Sequence, residues 1–334
     1  MQIFKKILSI ILRVSISIIL LIFLFKQVDK KSLLEIIKNA NKGFLLLAFF
    51  VFSLPYLLCI LRWEMLLKAI KIHLSLKRVI ISSAGGFFFS LFLPSTIGGD
   101  VVRSIDLATH TKRPREVVAT VLLDRLSGYV GLVILALLAL FLGWSFVQDR
   151  SVLLSVGIIT AVLICVLLVL FNRFIYAKIN SLLHSPSAGK IREAIKSLHQ
   201  ELHFFRHHKR VLFNNVIFSL IIQALTPITF YIIALAIGIK INILYFFVYL
   251  PIIGAITMLP ISIGGLGLRD ATIIFFFTKA GLSKDLSFAM SLVGFLFILI
   301  YSGIGGLIYV LTIHHRRIQH HPPSHLHPQQ QSKN

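Results

Sequence analysis

LPSTIGGDVVR, from Leu93 to Arg103, and LPISIGGLGLR, from Leu259 to Arg269, are two copies of one pattern: Leu-Pro, a variable residue, Ser or Thr, Ile-Gly-Gly, three residues, Arg. Chance does not readily put proline, paired glycines and arginine into one register twice. Continued without a gap, the register also lays Gly128 on Gly294, while upstream the match fades and Gly86 falls on Ile252. Proline lacks an amide donor and drives its predecessor out of the helical region, so Pro94 and Pro260 are expected to end the helix that enters each motif. Thr96 and Ser262 are then expected to cap a new half-helix. Gly98, Gly99, Gly264 and Gly265 would let backbone amides approach a ligand closely.

Around these motifs the chain is built for lipid. Hydrophobic residues make up 57% of the 334 and charged residues 14%, with a mean hydropathy of +0.90, a balance that excludes an ordinary soluble domain. Uncharged stretches run from Gly43 to Leu61, Leu126 to Val147, Ser151 to Asn172, Val211 to Ile239, Ile241 to Leu268 and Leu286 to Ile313. Each is about as long as the roughly 20 helical residues that cross a hydrocarbon core. Ile7 to Phe25 follows two lysines like a signal peptide, but Arg13 interrupts it and no small-residue cleavage site follows, so it reads as a retained helix.

Charge decides how the two motifs lie. If Val79 to Gly99 and Ile241 to Leu268 both crossed fully, the basic loop 173–210 would fall outside, against the positive-inside rule. If both segments dip in and return, 22 of the 34 Lys and Arg face the cytoplasm and ten face out, with Arg13 and Arg125 inside spans. The lysines from Lys26 to Lys42 are the exception to the bias. The expected fold is therefore all-α and polytopic, with about six full spans and two re-entrant helical hairpins in an inverted repeat. A single domain would occupy 1–313, with repeat one around 79–128, the basic loop at 173–210 and repeat two around 241–294. A disordered, histidine- and proline-rich tail would follow at 314–334. Inverted repeats with broken helices meeting at mid-membrane are a transporter architecture, and such breaks are tolerated only where protein or water surrounds them.

Few charges accompany the breaks. Asp100, Arg103 and Asp106 are spaced one helical turn apart, Asp124 and Arg125 precede a span, and Arg269 and Asp270 close the second motif. Two readings stand for the glycines: tight helix packing, or an anion site in which half-helix N-termini and an arginine hold a phosphate. Two stand for the charges as well. They neutralise one another to fix the hairpins, or Arg103 and Arg269 bind a lipid phosphate while Asp100, Asp124 and Asp270 hold them or accept a proton.

Other signals are weak. Cys59 and Cys165 sit in apolar stretches and imply no disulfide framework or metal spacing. His199, His203 and His207 share a helical face but lack the carboxylate of a metalloprotease pattern. A net charge of +22 suggests anionic head groups rather than nucleic acid, since the Lys and Arg lie between membrane segments. No catalytic constellation is visible. Neither an enzyme nor a cofactor is expected.

Four stretches carry a family likeness: Leu61-Arg62-Trp63 with Leu66 and Leu67, LPSTIGGDVVR from Leu93, LLDRLSG from Leu122 to Gly128, and LPISIGGLGLRD from Leu259 to Asp270. With these the chain resembles the flippase-like family, the membrane region of lysylphosphatidylglycerol synthases and its stand-alone relatives, over nearly its whole length. The resemblance implies translocation of an anionic phospholipid, an isoprenoid phosphate lipid or another polar lipid between leaflets of the cell (inner) membrane, with both termini cytoplasmic. The synthases carry a soluble aminoacyl-transferase domain after the membrane region, and this chain stops at Asn334, so aminoacyl transfer is not expected of it. Many relatives have glutamate after the second arginine; here Asp270 is a shorter acid. The alternative role is a membrane partner or regulator of a separate lipid-modifying enzyme.

Overall fold

The computed structural model describes residues 29–93, 97–144, 149–171, 208–258 and 261–319, with isolated positions at 205 and between 15 and 26. Ten helices are traced through them: α1 (Lys30–Lys38), α2 (Lys42–Ala69), α3 (Leu76–Phe89), α4 (Ile97–Thr111), α5 (Pro114–Leu142), α6 (Arg150–Phe171), α7 (Lys209–Ala236), α8 (Ile243–Thr257), α9 (Leu268–Lys279) and α10 (Lys284–Gln319). Five of them, α2, α5, α6, α7 and α10, are long and apolar enough to cross a membrane. The first expected span, Ile7 to Phe25, lies largely outside the described residues, as do the loop 173–210 as far as Phe205 and the chain beyond Gln319. The protein is thus an all-helical, polytopic membrane protein.

Polar residues at the joints start several helices. Asn41 accepts hydrogen bonds from the Gly43 and Phe44 amides at 2.9 and 3.2 Å, and Asn242 accepts from Leu244 at 2.9 Å. Each side chain satisfies amides that the first helical turn leaves without a partner. Pro114 opens α5 at the position where a missing amide costs nothing. Pro55 and Pro227 lie inside α2 and α7, as prolines are tolerated within membrane-spanning helices.

The remaining helices are too short to cross. At 1.5 Å per residue the 14 residues of α3 and 15 of α4 reach about 21 to 23 Å, and the 15 of α8 and 12 of α9 reach no farther, against a core of about 30 Å. Contacts between helix ends show how they lie. At one end of the bundle the Asn41 amide donates to the Ala236 carbonyl at 2.8 Å. There too the Asp29 amide meets the Asp285 carboxylate at 3.3 Å, and Lys279 meets Asp149 at 2.8 Å. At the other end Arg113 reaches the Lys71 carbonyl at 3.5 Å, and Ile72, Leu107, Val117 and Phe205 share one apolar cluster.

The pair α3–α4 therefore starts and finishes at the second end, and α8–α9 starts and finishes at the first. Their turns meet inside: a Cβ on Gly264 would lie 2.9 Å from the Leu91 carbonyl oxygen. Two helical hairpins enter from opposite ends and touch tip to tip. Behind the first, α10 presents Gly305 to the Ala84 carbonyl and Gly306 to the Phe88 ring, so Gly305 and Gly306 serve internal packing while Gly303 faces outward.

Three expectations are corrected in detail. The entering helices end at Phe89 and Thr257, ahead of Pro94 and Pro260, which lie with Thr96 outside the described residues. Ser262 does not cap the second half-helix. That helix starts at Leu268 after Gly267, because Gly264, Gly265 and Gly267 take φ values of 57°, 76° and 75°, which a right-handed helix cannot contain. Asp124 and Arg125 do not precede a span but lie well inside α5, which begins at Pro114.

Candidate functional site

The LPSTIGGDVVR copy places Asp100 in the first turn of α4 and Arg103 one turn later, so their side chains meet at 3.0 Å as the helical spacing requires. Arg103 does not pair with Asp106. That acid turns outward to Arg78 at 2.7 Å and to the Ser82 hydroxyl at 2.6 Å, tying α4 to α3 near their outer ends. Arg103 reaches across to Asp124 of α5 at 2.8 Å, and Asp124 takes a second guanidinium, Arg62 of α2, at 2.7 Å. Asp100 in turn accepts from Arg125. Five side chains from three helices form one alternating chain: Arg62, Asp124, Arg103, Asp100, Arg125.

This chain is buried and braced. Asp124 is 3% exposed, Arg62 5% and Arg103 6%, and an ionised group so far from water persists only with partners. Arg62 also donates to the Ser219 hydroxyl of α7 at 2.7 Å. The Arg103 guanidinium lies over the Trp63 ring, 4.6 Å from its centre, and the Trp63 indole N–H is held by Thr120 at 3.1 Å. Rings placed this way attract a cation and fix its plane.

The chain lines a cavity of about 210 Å³ that also receives Ser83, Gly86, Gly99 and Met258. The Ser83 hydroxyl is buried without a hydrogen-bond partner among the described residues. Gly98 and Gly99 belong to the first turn of α4, and their lack of side chains is used for close approach: a Cβ on Gly99 would overlap the Gly86 carbonyl and the Ser90 hydroxyl, and one on Gly98 the Leu93 side chain. The packing reading of these glycines thus has direct geometric support, while Gly99 also borders the cavity.

The second copy builds a different place. Asp270 accepts from the Gly267 amide at 3.0 Å and from the Ser291 hydroxyl, closing the N-terminus of α9. Arg269 touches its neighbour Asp270 at 3.2 Å and lies 5.0 Å from the centre of the Phe295 ring. Its Nε is buried without a partner among the described residues, as is the Ser262 hydroxyl. Arg269 borders a separate, largely apolar cavity of about 300 Å³ among Phe52, Tyr56, Phe230 and Ile273. Arg103 and Arg269 therefore line two chambers and not one. The repeat register persists even here, since Arg125 and Ser291, each on the helix after its hairpin, hold the acid of their copy.

Arg62 is the residue the charge count misplaced, assigning it to a cytoplasmic segment although α2 carries it into the bundle. Its signal in the sequence was a charge directly after the uncharged stretch ending at Leu61, followed by Trp63 and by Glu64, which pairs instead with Lys68. Cys59, at the cavity wall, and Cys165 are both free. Among the described residues no three His, Cys, Asp or Glu side chains gather to hold a metal; His199, His203 and His207 lie outside them.

The profile of the lysylphosphatidylglycerol synthase TM region matches residues 10–306. The chain is also similar to a UPF0104 membrane protein of Pyrococcus horikoshii, 26% identical over 310 residues that make up 86% of this chain and 91% of that protein. Two UPF0104 membrane proteins of Methanothermobacter thermautotrophicus are 26% and 23% identical over 281 and 287 residues, 78% of this chain in each case and 82% and 81% of theirs.

Proposed function

We propose that this chain, which belongs to the lysylphosphatidylglycerol synthase TM-region family, moves a phosphate-bearing lipid between the leaflets of a cell membrane. The observation that carries the reading is the buried cavity whose walls hold three arginines against two aspartates. Guanidinium matches phosphate with paired donors in one plane, and a charged wall inside a membrane bundle costs too much to be kept without use. The cavity lies where the hairpin turns meet, Met258 from the end of α8 facing Gly99 and Asp100 of α4. The apolar chamber beside Arg269 offers a route for chains or for a second holding position as the head group passes.

The test reads transfer per inserted molecule in reconstituted vesicles. Arg103→Lys keeps the charge and loses the planar fork, and is expected to slow lipid transfer by about tenfold, the worth of one charge-assisted hydrogen bond, while the protein still inserts and elutes as a single species. Arg103→Ala also strips a partner from Asp100 and Asp124 and is expected to lower both transfer and yield. Arg269→Lys is expected to impair transfer less, because Arg269 faces a chamber with few polar groups. Unchanged transfer per folded molecule in both alanine variants, Arg103→Ala and Arg269→Ala, would overturn the phosphate reading. That result would favour a partner or regulator of a separate lipid-modifying enzyme.

A further inference from the structure

We infer that residues 263–267 are a switch, alternating between the turn described above and a helical form in which they extend α9 at its N-terminus with Ser262 as the cap. The two motif copies display both forms in one molecule. Ile97, Gly98 and Gly99 make the first turn of α4. The same tripeptide in the second copy, Ile263 to Gly265, lies outside any helix, and α9 starts only at Leu268. Glycine permits both forms: it takes positive φ without steric cost, as Gly264, Gly265 and Gly267 do, and it enters a helix at a modest one. Three glycines in this segment therefore narrow the gap between the turn and the helix.

An independent observation points to the helical form. Ser262 is 1% exposed and its hydroxyl has no hydrogen-bond partner among the described residues, a costly state for a buried polar group. Ser262 precedes its Ile-Gly-Gly as Thr96 precedes the first. A serine at that place accepts from amides in the first helical turn, so winding 263–267 onto α9 brings the Gly264 and Gly265 amides to the orphaned hydroxyl. The Gly267 amide, held by Asp270 at 3.0 Å in the turn, passes to the Ile263 carbonyl in the helix. Asp270 keeps the Ser291 hydroxyl and Arg269, so the change strands no buried acid.

The switch sits where the two chambers meet. Thr257 lines the apolar chamber, and Met258, next in the chain, lines the arginine cavity. Gly264 closes against the Leu91 carbonyl between the hairpin tips. A change in the sign of φ at Gly264 breaks that contact, so the form of the turn sets whether the tips seal the passage. As a gate, the switch rests on the translocation reading above; as a two-state element, it does not.

Gly265→Ala perturbs the switch with little else. A Cβ there meets Thr257 at 3.6 Å, an ordinary contact, so alanine acts through φ and is expected to favour the helical form at least about 20-fold. Ser262→Ala removes the cap and is expected to favour the turn about fivefold, while Ser262→Thr keeps the cap and stays within about twofold of the wild type. Nitroxides replacing the exposed Ile261 and Lys240, in a protein lacking Cys59 and Cys165, report the forms as two distances by electron paramagnetic resonance. Gly265→Ala and Ser262→Ala are expected to move the distribution toward opposite distances. One unchanged distance in every folded variant overturns the switch. Transfer of tail-labelled phosphatidylglycerol in vesicles is read beside it, and both variants are expected to slow transfer per molecule because each traps one form. Should Gly265→Ala fail to fold, slower transfer by Ser262→Ala but not by Ser262→Thr supports the switch, and equal transfer by the two overturns it. Two distances in a protein that moves no lipid support the switch and overturn translocation. Transfer with a single fixed distance throughout overturns the switch and leaves translocation standing.

Discussion

A methyl group on Gly99 would overlap the Gly86 carbonyl oxygen and the Ser90 hydroxyl, whereas one on Gly128 meets nothing nearer than the Arg62 guanidinium at 3.8 Å. Both glycines sit in helices, so propensity alone favours alanine at each by up to about 1 kcal/mol. Gly99→Ala is expected to lower stability by about 1 to 3 kcal/mol, because the obstacle on one side is backbone that cannot rotate away. Gly128→Ala is expected to be neutral or slightly stabilising. Thermal unfolding of the two purified variants separates them, and a Gly99→Ala protein as stable as the wild type would mean that α3 and α4 do not cross this closely. The sequence singled out Gly99, Arg103 and Asp124 by motif and spacing alone. It did not place Arg62 beside them, because a contact between positions 62 and 124 depends on how α2 packs across α5 and no local pattern encodes that.

Among the elements, the hairpins were the most legible, since a proline and paired glycines within a long apolar stretch contradict a continuous helix. Their internal difference was not. In one copy the glycines are helical and in the other three of them adopt positive φ, an outcome set by what packs against each turn. The joint between α6 and α9 offers a test on this scale. Asp149 accepts from the Ser151 amide at 2.7 Å as the start of α6 and binds Lys279 at the end of α9 at 2.8 Å. The hydrogen bond from Lys279 chiefly, with those from Ser151, holds its carboxyl below the usual range despite slight desolvation. A depressed carboxylate adds stability that is present above its unfolded value, about 3.9, and is lost as pH falls through the folded one. Asp149→Asn keeps a capping side chain and loses the charge, so it is expected to remove under about 1 kcal/mol at pH 7 and less at pH 3, where part of the charge is gone. Asp149→Ala loses the cap too, costing about 1 kcal/mol more at both pH values. Identical losses for Asn at pH 7 and pH 3 would show that the ion pair contributes nothing.

At the scale of the whole molecule, the two ends carry similar numbers of Lys and Arg among the described residues, and orientation turns on what joins α6 to α7. Leu163 and Leu167 of α6 pack near Tyr129 to Val133 of α5, so the two helices run antiparallel and Phe171 heads for the end where α7 begins. Phe171 and Lys209, which flank the six Lys and Arg from Arg173 to Arg206 in the sequence, both lie at that second end, the one marked by Lys71 and Arg113. Short basic loops are retained on the cytoplasmic side. The second end is thus expected to face the cytoplasm, with the α3–α4 hairpin entering from there and the α8–α9 hairpin from outside. Lys77, in the first turn of α3, and Lys240, between α7 and α8, are exposed at opposite ends. In a background lacking Cys59 and Cys165, Lys240→Cys is expected to react with an impermeant maleimide in intact cells, and Lys77→Cys only after the membrane is opened. The reverse pattern would invert the molecule and leave the hairpins in place. Labelling of both from the outside would mean that α3–α4 and α8–α9 do not enter from opposite faces, and the tip-to-tip contact of Leu91 with Gly264 would have to form in some other way.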